Sequence, residues 1–284
     1  MSVAPPISDR AGTRLRYARS LLFVPADRPD RFEKAQAAAA DLTILDLEDA
    51  VAANRKEEAR ANVAAWLAAH HPALVRINAR DTPWYYRDLE LLQQPTLVGV
   101  MVPKADLLED SLVRHCAELG KPIIPLIESA AGFQRAADLA QTLGVARLAF
   151  GHLDFQVDVG IRGDDDALLY FRSHLVLVSR LAKLAPPIDG VTADVADSRL
   201  LEDEGARATR LGFGGKLCIH PCQVEAVNRA FSPSPQELQW ARAVVDAVGP
   251  TLDGVVAIDG KMVDRPVILK AQRILDIAKI LQSA

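Results

Sequence analysis

The chain has 284 residues, half of them hydrophobic, with 33 basic against 37 acidic side chains and a formal charge of −4 at neutral pH. That balance, with no basic stripe interleaved with aromatics, offers nothing to nucleic acid, and no apolar run approaches the ~20 residues needed to span a membrane. Three cysteines, Cys116, Cys218 and Cys222, make no disulfide framework, and the chain reads as cytoplasmic.

Residues 1–18 contain Pro5, Pro6 and several arginines but no apolar core for a signal peptide, and read as a disordered leader. Strand-like apolar runs follow at residues 20–24, 42–47, 73–77, 97–102, 122–127, 147–150, 188–191 and 215–219. Segments of helical periodicity lie between them, for example residues 28–40, 56–69, 132–142 and 168–184. Eight alternations without a long linker predict an α/β chain built as a (β/α)8 TIM barrel over residues 19–231. A doubly wound sheet would carry a glycine-rich phosphate loop after its first strand, whereas this strand runs into Val24-Pro25-Ala26-Asp27. The barrel should close with a helix over residues 221–231. Residues 232–284 form a C-terminal helical extension, expected to act as a lid or subunit contact. It reads as a helix at 235–248, a strand-like run at 254–258 and a final helix at 265–282, jointed at Ser232-Pro233-Ser234-Pro235 and Gly249-Pro250.

In a barrel the carboxyl ends of all strands face one mouth. The second strand brings Asp46, Glu48 and Asp49 there, the third Arg76 and Asn78, the fourth Lys104, the fifth Glu128, and the sixth Gly151, His152 and Asp154. Charge is costly in a core, so such a cluster has something to bind or a proton to move. Glu128 and Asp154, on adjacent strands, are placed to share a hard divalent cation, and oxygen-only ligation selects Mg²⁺ or Mn²⁺ over zinc. Arg76 would be the fork that grips a substrate carboxylate. The plainer alternatives are a helix N-terminal acid for Glu128, an N-cap for Asp154 and a mouth salt bridge for Arg76. The run Cys218-Ile219-His220-Pro221-Cys222 shows no fourth ligand for zinc.

Six segments together carry a resemblance: Ser20-Leu-Leu-Phe-Val-Pro, Asp46-Leu-Glu-Asp-Ala-Val, Val75-Arg-Ile-Asn, Ile127-Glu-Ser-Ala-Ala-Gly, Gly151-His-Leu-Asp-Phe and Gly215-Lys-Leu-Cys-Ile-His-Pro. In order and spacing they resemble the motifs of the citrate lyase β-subunit-like family in the HpcH/HpaI aldolase superfamily, which includes malyl-CoA, citramalyl-CoA and citryl-CoA lyases. The resemblance implies a Mg²⁺-dependent lyase that cleaves a 3-hydroxyacyl-CoA to acetyl-CoA and a 2-oxo acid. It implies Glu128 and Asp154 as metal ligands and Arg76 as the partner of the oxo-acid carboxylate. Phe23, Arg28, Lys34 and Pro221 match substrate-binding positions, the first three against the CoA portion. Asp264, in Gly260-Lys-Met-Val-Asp264, matches the aspartate that reaches the thioester end, generally in a neighbouring subunit of a homo-oligomer (a trimer or a dimer of trimers). It is the candidate proton donor, with an N-cap of the last helix as its alternative. Asp49 stands where the related aldolases have a histidine, which favours the CoA lyases and makes Asp49 a catalytic candidate. Asp46 and Glu48 would order metal-bound water and the arginine from behind. The short segment between Asp154 and the next helix, residues 155–166, favours citramalyl-CoA over malyl-CoA. A citryl-CoA pocket would need a second cation, for which Lys104 is the candidate, with a barrel-mouth ion pair as its equal alternative. A thioesterase and a β-type subunit of a citrate lyase complex are the competing readings.

Overall fold

The computed structural model describes residues 14–248, 256–258 and 261–283. Two compact units are present, Met1–Phe231 and Ser232–Ala284. In the first, eight strands close a barrel in chain order: β1 (Ser20–Pro25), β2 (Leu42–Asp46), β3 (Ala73–Arg76), β4 (Leu97–Val102), β5 (Ile123–Ile127), β6 (Ala149–Phe150), β7 (Ile188–Asp189) and β8 (Gly215–Cys218). Every neighbouring pair is parallel, and β1 closes the ring against β8.

Strand alternation builds the two layers. Leu21, Ile44, Leu74, Met101, Ile124, Leu126, Ile188 and Leu217 form one buried cluster that fills the barrel. Their chain neighbours Leu22, Leu45, Val75, Val100, Ile123, Ile127 and Cys218 belong to a second cluster, shared with the surrounding helices. Each fully buried Leu, Ile or Val contributes roughly 1.5–3 kcal/mol. A strand slip by one residue would exchange the two layers, so packing fixes the register. That register sets Pro25 beside Asp46 and Asp46 beside Arg76.

Several local expectations change. The helix expected over 28–40 is a 3-10 turn, Pro29–Arg31, followed by a short helix, Phe32–Ala37, and the chain turns away at Ala39 with φ +56°. The helix expected over 132–142 starts earlier and is two, Ala130–Gln134 and Ala136–Gln141, broken where Arg135 leaves helical geometry. Ser129 starts the first by accepting the Gly132 N–H on its hydroxyl. A 3-10 turn, Pro221–Gln223, precedes the helix Val224–Ala230, within the span read as one helix.

The leader expected over 1–18 falls mostly outside the described residues, but its last part is ordered. Residues 14–17 form a helical turn, and Leu15 and Ala18 are buried. The reason lies at the foot of β6, where Arg147 is fully buried. Its guanidinium donates to the carbonyls of Leu15 (3.1 Å), Ala18 (2.8 Å), Pro186 (2.8 Å) and Pro187 (3.4 Å), sealing the barrel floor.

In the second unit, helix Pro235–Val248 packs on helix Arg265–Ser283 through Ala241, Val244, Ile268 and Ala271. A hairpin joins them, Val256–Ile258 with Lys261–Val263, whose second strand the sequence reading lacked. Gly249, Pro250, Gly254 and Gly260 lie outside the described residues. Among the described residues no helix is long and apolar enough to cross a membrane.

Candidate active site

A cavity of about 430 Å³ opens at the carboxyl ends of the strands. Phe23, Asp46, Asp49, Arg76, Glu128 and Asp154 line its polar side and the entrance; Leu126, Phe150, Val191 and Leu217 make an apolar wall. Arg76 donates from Nε and Nη2 to the two oxygens of Asp46 at 2.7 and 2.6 Å, and its Nη1 stands 3.2 Å from Glu48 Oε2. The Phe23 ring lies under the guanidinium at 4.7 Å. Burial disfavours the charge on Arg76, but its bond to Asp46 and the charges of Asp46, Glu48 and Glu128 outweigh it and hold the group above its ordinary value.

Glu128 is 4% exposed. Oε1 accepts the Lys104 N–H at 2.5 Å. Oε2 sits over Gly151, where an added Cβ would come within 2.7 Å of it. Burial pushes this carboxyl up to about 7; the Lys104 N–H opposes that and the charge of Glu48 adds to it. Asp154 lies in the first turn of the helix His152–Val159, exposed, at the edge of the same cavity. Glu48, buried, has its carboxyl raised by that burial against the pull of Arg76 and Lys104. Asp49 lines the cavity, and its N–H donates to Glu48 Oε2 at 3.0 Å.

Glu128 and Asp154 therefore share one cavity, but among the described residues no three acidic, histidine or cysteine side chains converge as a metal cage. That donor set excludes a closed zinc centre and fits Mg²⁺, which takes one or two carboxylates and fills its shell from water and substrate. Lys104 does not line the cavity: its ammonium bonds Glu48 Oε1 at 2.5 Å and stands 3.6 Å from Asp49. It is the mouth ion pair, not a second cation facing a substrate. Asn78 also turns away, giving its N–H and side-chain amide to Asp88 at 2.8 and 2.7 Å.

A second cavity of about 310 Å³ adjoins the first through Phe23, Pro25 and Ile219, and holds Arg31, Lys34, His220 and Pro221. Gln223 holds that rim by accepting the N–H groups of Ile219 and His220 at 2.9 and 3.2 Å. Phe23, Lys34 and Pro221 thus come together, whereas Arg28 lines neither cavity and is half-buried, paired with Asp30 at 2.9 Å. Arg31, the last residue of the 3-10 turn and exposed, is the cation at this cavity that sequence reasoning missed.

His152 was seen at the strand end but given no role. It is buried and lines the main cavity, and its Nδ1 has no hydrogen-bond partner. A Cβ on Gly190 would lie 2.0 Å from that nitrogen, so the imidazole occupies the place of a missing side chain. Burial lowers its pKa to about 4, keeping the ring neutral. Asp264 belongs to the second unit and caps its last helix: its carbonyl accepts from Ile268 at 3.0 Å and Oδ1 from Val267 at 3.3 Å. The N-cap alternative is thus realised, and it leaves a chemical role open.

The model of the HpcH/HpaI aldolase/citrate lyase family matches residues 19–221. A citrate lyase subunit beta-like protein of Mycobacterium tuberculosis is 37% identical over 262 residues, covering 89% of this chain and 93% of the relative. A (3S)-malyl-CoA thioesterase of Cereibacter sphaeroides is 32% identical over 265 residues, covering 90% and 93%. The crystal structure of CitE from Mycobacterium tuberculosis, in complex with magnesium, acetoacetate and coenzyme A, superposes with a TM-score of 0.77 at 34% identity, covering 93% of this chain and 99% of that one.

Proposed function

Because the chain belongs to the HpcH/HpaI aldolase/citrate lyase family, we propose that it is a Mg²⁺-dependent carbon–carbon lyase acting on a 3-hydroxyacyl-CoA, citramalyl-CoA in preference, to give acetyl-CoA and a 2-oxo acid. The observation that carries the reading is one cavity in which two carboxylates, Glu128 and Asp154, lie with an arginine, and which shares Phe23, Pro25 and Ile219 with a second cavity bearing Arg31 and Lys34. The second cavity suits a phosphate-rich nucleotide tail. A magnesium complex with acetoacetate and coenzyme A in a relative of 34% identity supports the same ligands here.

Glu128 and Asp154 would hold the cation, which when bound stabilises negative charge growing on the substrate oxygens. Arg76, fixed in plane by Asp46 and stacked on Phe23, orients the carboxylate of the oxo-acid half. Asp49 and Glu48 order water and the arginine at the entrance. As the carbon–carbon bond breaks, the hydroxyl proton of the substrate passes to water ordered at the mouth by Asp49, and the enolate left behind takes a proton from Asp264, of the same or a neighbouring chain in a homo-oligomer.

The charge inventory supports the substrate preference. Arg76 is the cation among the residues lining the main cavity, which fits one carboxylate on the oxo acid. Oxaloacetate would bring a second carboxylate against Leu126, Phe150, Val191 and Leu217 without a partner. The same wall welcomes a methyl group, worth ~1–3 kcal/mol of discrimination, and so favours pyruvate over glyoxylate.

The test is incubation with Mg²⁺ and a panel of malyl-, citramalyl- and citryl-CoA, followed by identification of the acids released. Pyruvate with acetyl-CoA is expected; free hydroxy acid with CoA would make the chain a thioesterase, the reading that the Cereibacter relative favours. No turnover without added subunits would favour the citrate lyase β-type role.

A further inference from the structure

Lys104 follows β4 in a left-handed backbone conformation, φ +47°. Glycine or asparagine adopts that conformation more cheaply than a residue with a long side chain, so a lysine there calls for a reason. The residue touches both halves of the site. Its N–H reaches Glu128 Oε1 at 2.5 Å, and its ammonium reaches Glu48 Oε1, also at 2.5 Å. Glu48 Oε2 in turn faces Arg76 Nη1 at 3.2 Å.

The charge on Glu48 has to be met, because its side chain is 5% exposed. Arg76 already spends Nε and Nη2 on Asp46. Nη1 is the nitrogen left to face an incoming carboxylate, and it is also the one beside Glu48. A second cation on Glu48 settles that competition. We propose that Lys104 is a positioning residue for the 2-oxo acid: its ammonium takes up the charge of Glu48 and releases Arg76 Nη1 to the substrate. Its left-handed backbone separately aims an N–H at Glu128 Oε1, leaving Oε2, the oxygen over Gly151, to the cation. The inference rests on the mouth being a Mg²⁺ and oxo-acid site, and assigns the two functions of one residue to its side chain and its main chain.

Glycine separates them, since Lys104→Gly keeps the N–H, relieves the backbone and removes the ammonium. Calorimetric titration of the full chain with Mg²⁺, then with pyruvate at saturating Mg²⁺, reads the two ligands separately and without turnover. Lys104→Gly should bind Mg²⁺ within roughly twofold of the parent and pyruvate about tenfold or more weakly, the scale of one charge-assisted bond. Lys104→Arg, which restores the charge, should recover most of the pyruvate affinity. Unchanged pyruvate binding in Lys104→Gly overturns the proposal. So does an arginine variant as weak as the glycine one, or a parallel fall in Mg²⁺ affinity, which would mean general damage to the mouth. A parent that binds Mg²⁺ and pyruvate but cleaves no hydroxyacyl-CoA would sink the lyase reading and leave this one standing; a parent that does not bind pyruvate would sink this one.

Discussion

Glu128 concentrates the physics of the mouth in one side chain. Its carboxyl, pushed up to about 7 by burial, keeps its proton in the fold between the ordinary value of 4.5 and 7, where the unfolded chain has lost it. The metal-free protein is therefore most stabilised by this group below pH 4.5 and loses about 3 kcal/mol as the pH rises to 7. His152 acts in the opposite sense, costing stability as the pH falls from 6.5 toward its value of about 4. The comparison that isolates Glu128 is Glu128→Gln against the parent, both in EDTA. The variant should melt several degrees higher at pH 8 and no higher at pH 4.5, while losing most of its Mg²⁺ affinity by titration. Gly151→Ala is the steric counterpart. Its methyl would stand 2.7 Å from Glu128 Oε2 and 2.8 Å from Glu128 Cβ, so a fold intact by circular dichroism with Mg²⁺ bound about tenfold more weakly is expected.

At the scale of elements, Asp264 asks whether a helix cap also does chemistry. Asparagine caps as well as aspartate, so Asp264→Asn should keep the melting temperature and Mg²⁺ and pyruvate binding but lose most turnover. Asp264→Ala should also lose about 1 kcal/mol of helix stability. Turnover of Asp264→Asn at the parent rate would reduce the residue to its cap. The strand ends were legible because an interior strand must be apolar and must stop where charge begins, and Asp46, Arg76 and Glu128 all declare that boundary. Short helices were less so: periodicity over 132–142 does not register one residue, Arg135, leaving the helical basin. The same limit misplaced a cation. A 3-10 turn started by Pro29 brings Arg31 to the second cavity and leaves Arg28 with Asp30. His152 stayed without a role because its environment is made by Gly190, at the end of the neighbouring strand β7, and no local pattern encodes that vacancy. Lys104 read equally well as a substrate cation or an ion pair, since the choice depends on a backbone angle.

On the whole molecule, the proposed homo-oligomer makes a quantitative prediction. If Asp264 serves a neighbouring barrel, Glu128→Gln and Asp264→Asn chains, each inactive alone, should recover about a quarter of the parent activity when co-assembled in equal amounts. Light scattering would report the assembly, and no recovery would confine each site to one chain. The floor of the barrel carries a different consequence. Arg147 binds the carbonyls of Leu15 and Ala18 at the end opposite the catalytic opening, so the polypeptide enters the barrel from underneath. Anchoring to a solid support by the amino end would then leave the working face toward the bulk liquid, with an unaltered KM. Cutting the chain back to residue 19 would strip two carbonyl acceptors from a fully buried guanidinium, and would start unravelling from below.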